Sequence, residues 1–448
     1  MTARLWFRIH SVIGVMAGLV LFLVCWSGTT AILADEFDWA VTPEMWVTED
    51  VGDVAWGRVY ATVSGTIAPA ARIKSLQAPI HLYAPVKAEI ESIGQPKRLI
   101  YVHPRNGRIL GEFSELTIQE FFRSFHRHLF LPKPLGIVLV SLFAAALLTT
   151  TVSALMFYRR WWTRFFRLRL FTKGGRVAWS DLHKTAGLWS LWFVGLMTIT
   201  GIWYGLEATD APDALFAPVR APTAAAPNVA PAEHLPLDAL IARVKAARPD
   251  LEIRAIHPGG EDGAADQIQA VGQSHDWFLR DRVNSVTIAA NGTPIATRRA
   301  SDLTAYQYWV NMADPLHFGS FGGLASKAIW FVFGLLICGL ILTGTWLHAR
   351  RLVRKADGRR GAHWTGTLPA CGASVVLLAT AVSFAVEQIR SYGLVRGGVR
   401  HLPDVPPGAV IFITGWLIVT VAVVVLWFLA LWWHERLIRR ELRDFSKP

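Results

Sequence analysis

Six stretches of the chain are apolar for long enough to cross a bilayer: Ser11–Leu33, Leu135–Phe157, Leu188–Leu206, Leu324–Leu347, Leu368–Val386 and Val410–Trp433. A hydrocarbon core of about 30 Å takes roughly 20 residues of helix, and each stretch meets or approaches that length. Between the first two lies a mixed segment, residues 35–133, and between the third and fourth another, residues 207–323. In the latter, Leu237, Leu240, Ile241 and Val244 recur at helical spacing and predict a helix over Pro236–Arg248. Strand-like runs follow at Leu251–His257, Gln267–Val271 and Val283–Ala290, with Asn291-Gly292 as a hairpin turn into Pro294–Arg298. The first segment closes in the same way, with Leu99–His103, a turn at Asn106-Gly107, and Ile109–Phe113. Ala221–Ala232 is almost wholly Ala and Pro and reads as a linker. The fold class predicted is an all-α polytopic membrane bundle of six helices carrying small α+β domains on one face.

The pattern also repeats. His10 is followed by Gly14 and Gly28, and His183 by Gly187 and Gly201, at identical spacings. His126 precedes Arg159-Arg160, and His317 precedes Arg350-Arg351, again at one shared spacing. The chain therefore divides into a first repeat (1–160: span, outer domain 35–133, span), a basic loop (161–182), a second repeat (183–351, with outer domain 207–323), and two additional spans with a basic tail (352–448). Both repeats run in the same direction, so they are parallel, related by an axis along the membrane normal.

Composition agrees with a membrane protein: 52% of the 448 residues are hydrophobic and only 17% charged, with a mean hydropathy of +0.34. A net charge of +12 raises the question of nucleic acid, but position answers it. Arg159, Arg160, Arg164, Arg167, Arg169, Lys173 and Arg176 crowd the second loop, and Arg350, Arg351, Arg354, Lys355, Arg359 and Arg360 the fourth. Arg4 and Arg8 precede the first span, and Arg436, Arg439, Arg440, Arg443 and Lys447 follow the last. Basic residues beside spans orient them and meet anionic lipid, which puts these loops and both termini in the cytoplasm and the two large segments outside. Membrane lipid is thus the expected partner and nucleic acid is not. Cys25, Cys338 and Cys371 each sit in an apolar run without CxxC, CxxCH or zinc spacing, which argues against attached haem, iron–sulfur clusters and disulfides.

Four histidines sort by depth. His10 and His183 stand at the cytoplasmic starts of spans one and three, His126 and His317 at the outer ends of spans two and four. Ionisable groups at membrane depth are costly and mark function. On a continuous helix Gly14 and Gly28 share a face with His10, and Gly187 and Gly201 with His183; a glycine there clears room for a flat macrocycle, for which a neutral imidazole is a standard axial ligand. Tetrahedral zinc would need its ligands in one cluster rather than at two depths. Two haem b groups are expected, with His348 as a competing ligand at the inner end of span four. His128, two residues after His126, points elsewhere on a helix and is a secondary candidate, while His81, His103, His234, His257, His275, His363, His401 and His434 are expected in surface or interfacial roles.

These residues resemble the PepSY-associated transmembrane family of bacterial iron-regulated inner-membrane proteins, which includes siderophore reductases. The resemblance rests on Arg8-Ile9-His10 with Gly14, Phe125-His126-Arg127-His128-Leu129, Trp179-Ser180-Asp181-Leu182-His183-Lys184 with Gly187 and Trp189, and Pro315-Leu316-His317-Phe318-Gly319 with Gly322-Gly323. Pro236–Arg298 resembles a PepSY domain, and the whole likeness covers about Arg4–Arg351. It implies an inner-membrane protein with an inner haem on His10 and His183, an outer haem on His126 and His317, and reduction of a ferric chelate outside the membrane.

No Gly-rich nucleotide fingerprint is present, so the electron donor is expected to be separate, a quinol or a reductase protein. Two other readings compete: a haem-free PepSY scaffold binding a partner outside the membrane, and a transporter of iron or chelate. The transporter reading asks for polar or broken helices at mid-membrane, where the sequence offers little beyond Thr149–Thr151, Thr198 and Thr200.

Overall fold

The computed structural model describes residues 2–48, 52–165, 174–216, 235–260, 266–355 and 367–444. The linker Ala221–Ala232, most of the second and fourth loops (Phe166, Arg167, Arg169, Lys173, Arg359 and Arg360 among them), His234, His363 and Lys447 lie outside the described residues.

The first apolar segment is not one rod. It folds as α1 (Ala3–Met16) and α2 (Gly18–Ala31), which meet at Ala17 with a bend of 68°. Then come α3 (Ala34–Val41), α4 (Trp56–Thr66), four strands β1 (Ala71–Gln77), β2 (Val86–Ser92), β3 (Arg98–Val102) and β4 (Ile109–Ser114), α5 (Ile118–His128) and the long α6 (Lys133–Phe157). The second half follows the same order. α7 (Gly174–Trp189) and α8 (Leu191–Glu207) meet at Ser190 with a bend of 61°, and a short α9 (Ala211–Phe216) follows. Then come α10 (Leu237–Ala247), strands β5 (Glu252–Pro258), β6 (Gln267–Gln273), β7 (Asn284–Ala289) and β8 (Pro294–Arg298), α11 (Ala305–Phe318) and α12 (Gly323–Lys355). Two further helices, α13 (Thr367–Ser391) and α14 (Pro407–Asp444), are joined through a small hairpin, β9 (Val395–Arg396) and β10 (Val399–Arg400).

Four helices are long and apolar enough to cross a membrane, and the two bent pairs bring the number to as many as six. The bends have a local cause. Ala17 has ψ −14° and Ser190 ψ 0°, well short of the roughly −42° of a regular helix, so the axis turns there. Both breaks fall seven residues after a histidine, His10 and His183. This corrects the expectation of continuous spans: His10 and Gly28, or His183 and Gly201, do not lie along one straight helix face.

Where helices touch, small residues let them approach. A Cβ on Gly201 would stand 2.9 Å from Ala144 Cβ, and one on Gly205 2.5 Å from Ser141 Cβ, so α8 and α6 pack almost backbone to backbone. Gly334 of α12 receives Thr29 of α2 in the same manner.

The two large segments between the spans build a single eight-stranded antiparallel sheet, in the order β4-β3-β2-β1-β5-β6-β7-β8, rather than two separate domains. The halves join where Leu76 and Gln77 of β1 pair with Ile256 and Ala255 of β5. The strands of the second half fall within about one or two residues of the predicted runs, while α4, β1 and β2 of the first half were not anticipated. Both Asn-Gly turns place their glycine at positive φ, Gly107 at 72° and Gly292 at 84°. Period-two burial along β2 turns Val86, Ala88 and Ile90 toward α4. The core they form with Trp56, Val59 and Val63 continues across the seam to Ile256 and to Ile241 of α10. Asp238 of α10 accepts the Gly57 N–H of α4 at 2.9 Å, a second tie between the halves.

Leu76 is fully buried at the seam. Leu76→Ala is expected to cost about 2–4 kcal/mol. Thermal unfolding of the full chain in detergent should show both halves of the sheet melting together at a lower temperature; an unchanged melting curve would refute the shared core.

Candidate metal centres at two histidine pairs

α5 carries His126, and its start is fixed by side chains: the Asp38 carboxylate accepts the Ile118 and Gln119 N–H groups at 2.8 and 2.9 Å, and Thr117 Oγ1 accepts that of Glu120 at 3.2 Å. Phe121, Phe122 and Phe125 bury the inner face. After His128 the chain turns through two left-handed residues, Leu129 (φ 52°) and Phe130 (φ 58°), into α6. The imidazole of His126 is thereby delivered onto α2, where its Nδ1 lies 2.8 Å from the Val24 carbonyl oxygen. A Cβ on Gly28 would stand 2.5 Å from His126 Cε1. In a helix the carbonyl of residue i points toward residue i+4, so the bare Gly28 is what exposes the Val24 carbonyl to the ring.

His317 arrives from the other half. α11 opens with a capping box between Thr304 and Gln307 and closes at Gly319, whose φ of 68° suits glycine. Trp330 packs where a Gly319 Cβ would fall, and its Nε1 donates to Leu316 O at 2.9 Å. His317 Nδ1 lies 2.7 Å from Thr200 Oγ1. The rings of His126 and His317 face each other with centroids 6.0 Å apart and planes inclined by 34°. Two imidazoles sharing one metal through Nε2, with metal–nitrogen bonds of about 2 Å, stand with ring centres on the order of 6 Å apart. Burial pushes the pKa of His317 down to about 3, with His126 adding to the effect, and lowers that of His126, so both rings are in the neutral, ligating form.

The second pair lies at the opposite end of the bundle. His10 Nδ1 is 2.8 Å from Thr150 O of α6, with the ring edge against Phe157. His183 Nδ1 is 2.9 Å from Thr343 Oγ1 of α12. Gly344 clears the way for His183, as a Cβ there would stand 3.1 Å from its Cε1. His348 stands one turn beyond Gly344 on the same face of α12. Depth follows from α12: Gly334 packs on Thr29, beside Gly28, and Thr343 lies nine residues further on, a rise of about 14 Å.

One feature unites the four rings. A carbonyl oxygen can only accept, so His126 and His10 must donate from Nδ1 to Val24 and Thr150. Thr200 and Thr343 spend their hydroxyl protons on the helix carbonyls of Leu196 (2.8 Å) and Gly339 (2.7 Å), so each must accept from its histidine. The carbonyl partners put the proton on Nδ1 of His126 and His10 and leave the lone pair on Nε2, and a threonine hydroxyl that gives its own proton to the helix carbonyl sets the same tautomer for His317 and His183. Among the described residues no group of three or more His, Cys, Asp or Glu comes together to hold an ion; each pair offers two protein ligands.

Of the four predicted histidines, the structure brings the His126 and His317 rings to 6.0 Å, while His10 and His183 are each held at Nδ1 by a partner on α6 and α12. The glycines divide differently. Gly28 lies against an imidazole, Gly14 and Gly187 make only ordinary contacts at 3.9 Å with Thr150 and Leu340, and Gly201 serves helix packing. Sequence reasoning passed over Gly344, the roles of Thr150, Thr200 and Thr343, and a relay beside His317. There, Tyr204 packs its ring edge on His317 and donates to Asp314 at 2.6 Å, and Asp314 pairs with Arg280 of the sheet region at 2.5 Å. His103 corrects the expectation of a surface role: it is buried and accepts the Arg105 and Asn106 N–H groups in the β3–β4 turn. His128 is buried, and its Nδ1–H donates to Leu131 O at 2.9 Å.

A multi-pass membrane protein whose helices carry an antiparallel sheet is the class that this fold defines. The chain belongs to the family described as the PepSY-associated TM region, whose model matches residues 7–351. An uncharacterized protein of Pseudomonas aeruginosa is 26% identical over 257 residues, which are 52% of this chain; the chain spans 64% of the length of that relative.

The glycines can be told apart by substitution. Gly28→Ala forces the His126 ring aside and is expected to cost about 1–3 kcal/mol, read as a lower melting temperature in detergent. Gly14→Ala should leave the melting temperature unchanged, and equal effects of the two would contradict the packing described.

Proposed function

We propose that the chain carries electrons across the bacterial inner membrane between two bis-histidine haem b sites and delivers them to a ferric chelate, of the siderophore class, on the sheet-bearing side. The observation that carries this reading is the facing of His126 and His317 at 6.0 Å with both Nδ1 protons committed elsewhere. A haem b at each pair would supply a one-electron Fe(III)/Fe(II) couple, its macrocycle furnishing four ligands and the imidazoles the other two.

The chain's own residues do the rest. Val24 O and Thr200 Oγ1 hold His126 and His317 in the ligating tautomer, and Thr150 O and Thr343 Oγ1 do so for His10 and His183. The rise of about 14 Å between the pairs is roughly half of an apolar core of about 30 Å. The charge distribution of the sequence favours the inner pair lying toward the cytoplasm, where a quinol or a reductase protein would meet it, and the sheet lying outside. At the outer pair, Tyr204, Asp314 and Arg280 link His317 to the sheet, the surface on which a chelate would dock. Reduction loosens iron from hard oxygen ligands because Fe(II) is the softer ion of lower charge.

The bends at Ala17 and Ser190 are the kind of discontinuity a transporter uses. The polar residues of the spans favour fixed sites instead: Thr200 holds His317, and Thr150 gives its carbonyl to His10 and its hydroxyl to Leu147 O.

Visible spectra and a pyridine haemochrome assay on detergent-purified protein should give two b-type haems per chain, falling to about one in His10→Ala or His126→Ala. Thr200→Val, which removes the acceptor for His317 at little change in volume, should weaken haem retention roughly 10- to 100-fold. Protein made with ample haem and carrying none would overturn the reading and leave a haem-free scaffold in its place.

A further inference from the structure

The connection between α13 and α14 lies beyond the family match at residue 351. It is nevertheless tied firmly to the rest of the chain. Gln95, in the β2–β3 turn, donates to Val395 O at 2.8 Å and accepts the Val395 N–H at 2.9 Å. Ser114, ending β4, donates its N–H to Asp404 O at 2.8 Å. Beneath, Tyr392 donates to Glu120 of α5 at 2.8 Å, and Gln388 donates to Ser124 at 3.0 Å.

These ties enclose a cavity of about 260 Å³ between the sheet edge and the connection, lined by Arg98, Ser114, Tyr392, Arg396, His401 and Asp404. That volume is near the lower end of small-molecule sites. Its polar lining holds two guanidinium groups, two hydroxyls, an imidazole and one carboxylate; the Tyr392 hydroxyl is already given to Glu120 and the Arg98 guanidinium to Glu112, which leaves the Arg396 guanidinium and the Ser114 hydroxyl uncommitted among the described residues. Arg98 is held in place by Glu112 at 2.8 Å and Asp404 at 3.9 Å. Arg396 makes no ion pair with any described residue. Ser114 is only 4% exposed, and its Oγ has no hydrogen-bond partner among the described residues. Native interiors rarely leave a buried hydroxyl in that condition unless something else meets it.

We infer that this cavity binds a small polycarboxylate anion. Arginine forks match planar carboxylates, Ser114 Oγ supplies a buried donor, and the Tyr392 ring with Leu394 and Leu402 offers an apolar wall for a carbon skeleton. The carboxylates can belong to a free acid or to a ferric carboxylate chelate. The site does not depend on haem, and its floor rests on α5, the helix that carries His126.

The test is calorimetric titration of the full chain in detergent with citrate, ferric citrate and inorganic phosphate. Citrate or ferric citrate is expected to saturate, and affinity to fall at least roughly tenfold in Arg396→Gln and in Ser114→Ala at unchanged melting temperature. Binding of ferric citrate alone would make the chelate the ligand; binding of both would make it the carboxylate groups. The inference is overturned if neither binds at millimolar concentration, if phosphate binds as well as citrate, or if both variants bind like the parent chain. Heat of binding involves no redox readout, so failure here leaves the histidine pairs untouched, and failure to find haem leaves this site standing.

Discussion

A polar group packed among apolar helices must find its partner inside the protein, and four imidazoles bring eight ring nitrogens to that requirement. The chain satisfies one nitrogen of each ring with a fixed acceptor: a helix carbonyl in the first half, a threonine hydroxyl in the second. Much of the surrounding architecture serves those contacts. Gly28 and Gly344 open helix surfaces for the rings, the two left-handed residues after His128 swing α5 over α2, and Gly319 lets α11 turn under Trp330. The bends at Ala17 and Ser190 allow the same two chain segments to serve one site with their first half and the other with their second.

The sequence carried the histidine pairing plainly, because repeat spacing is a one-dimensional signal and survives any bending of the chain. The bends themselves were not legible: Ala17 and Ser190 are unremarkable residues in apolar surroundings, and neither Pro nor a charge marks the break. For that reason the argument that His10 and Gly28 share a face failed, although Gly28 does lie at a histidine, His126 of the neighbouring helix. The acceptors were hidden for another reason. Thr150, Thr200 and Thr343 look like the ordinary threonines of a membrane helix, whose hydroxyls return to their own backbone, and only a tertiary contact reveals the second bond.

The sheet shows a similar division. Strands β5 to β8 alternate cleanly and end in an Asn-Gly hairpin, so they could be read locally. β1 and β2 contain Arg72, Lys74, Lys87, Glu89 and Glu91 on their outward positions, with ion pairs such as Arg72–Glu91 at 2.8 Å, and the charges mask the buried alternation of Ile73, Leu76, Val86, Ala88 and Ile90. Fusion of the halves through β1 and β5 is a long-range event that no local pattern announces.

That fusion bears on how the protein is made. About 170 residues separate the end of β1 from the start of β5, which at 5–20 residues per second is a delay of roughly 10 to 35 s. Until β5 is made, a first half folded on its own helix and meander would present β1 as an unpaired edge strand, with the partner of Leu76 missing. An open edge of this kind is a template for pairing with other chains. Biosynthesis of this protein therefore passes through a stage in which its most exposed liability is the very strand that later holds the two halves together.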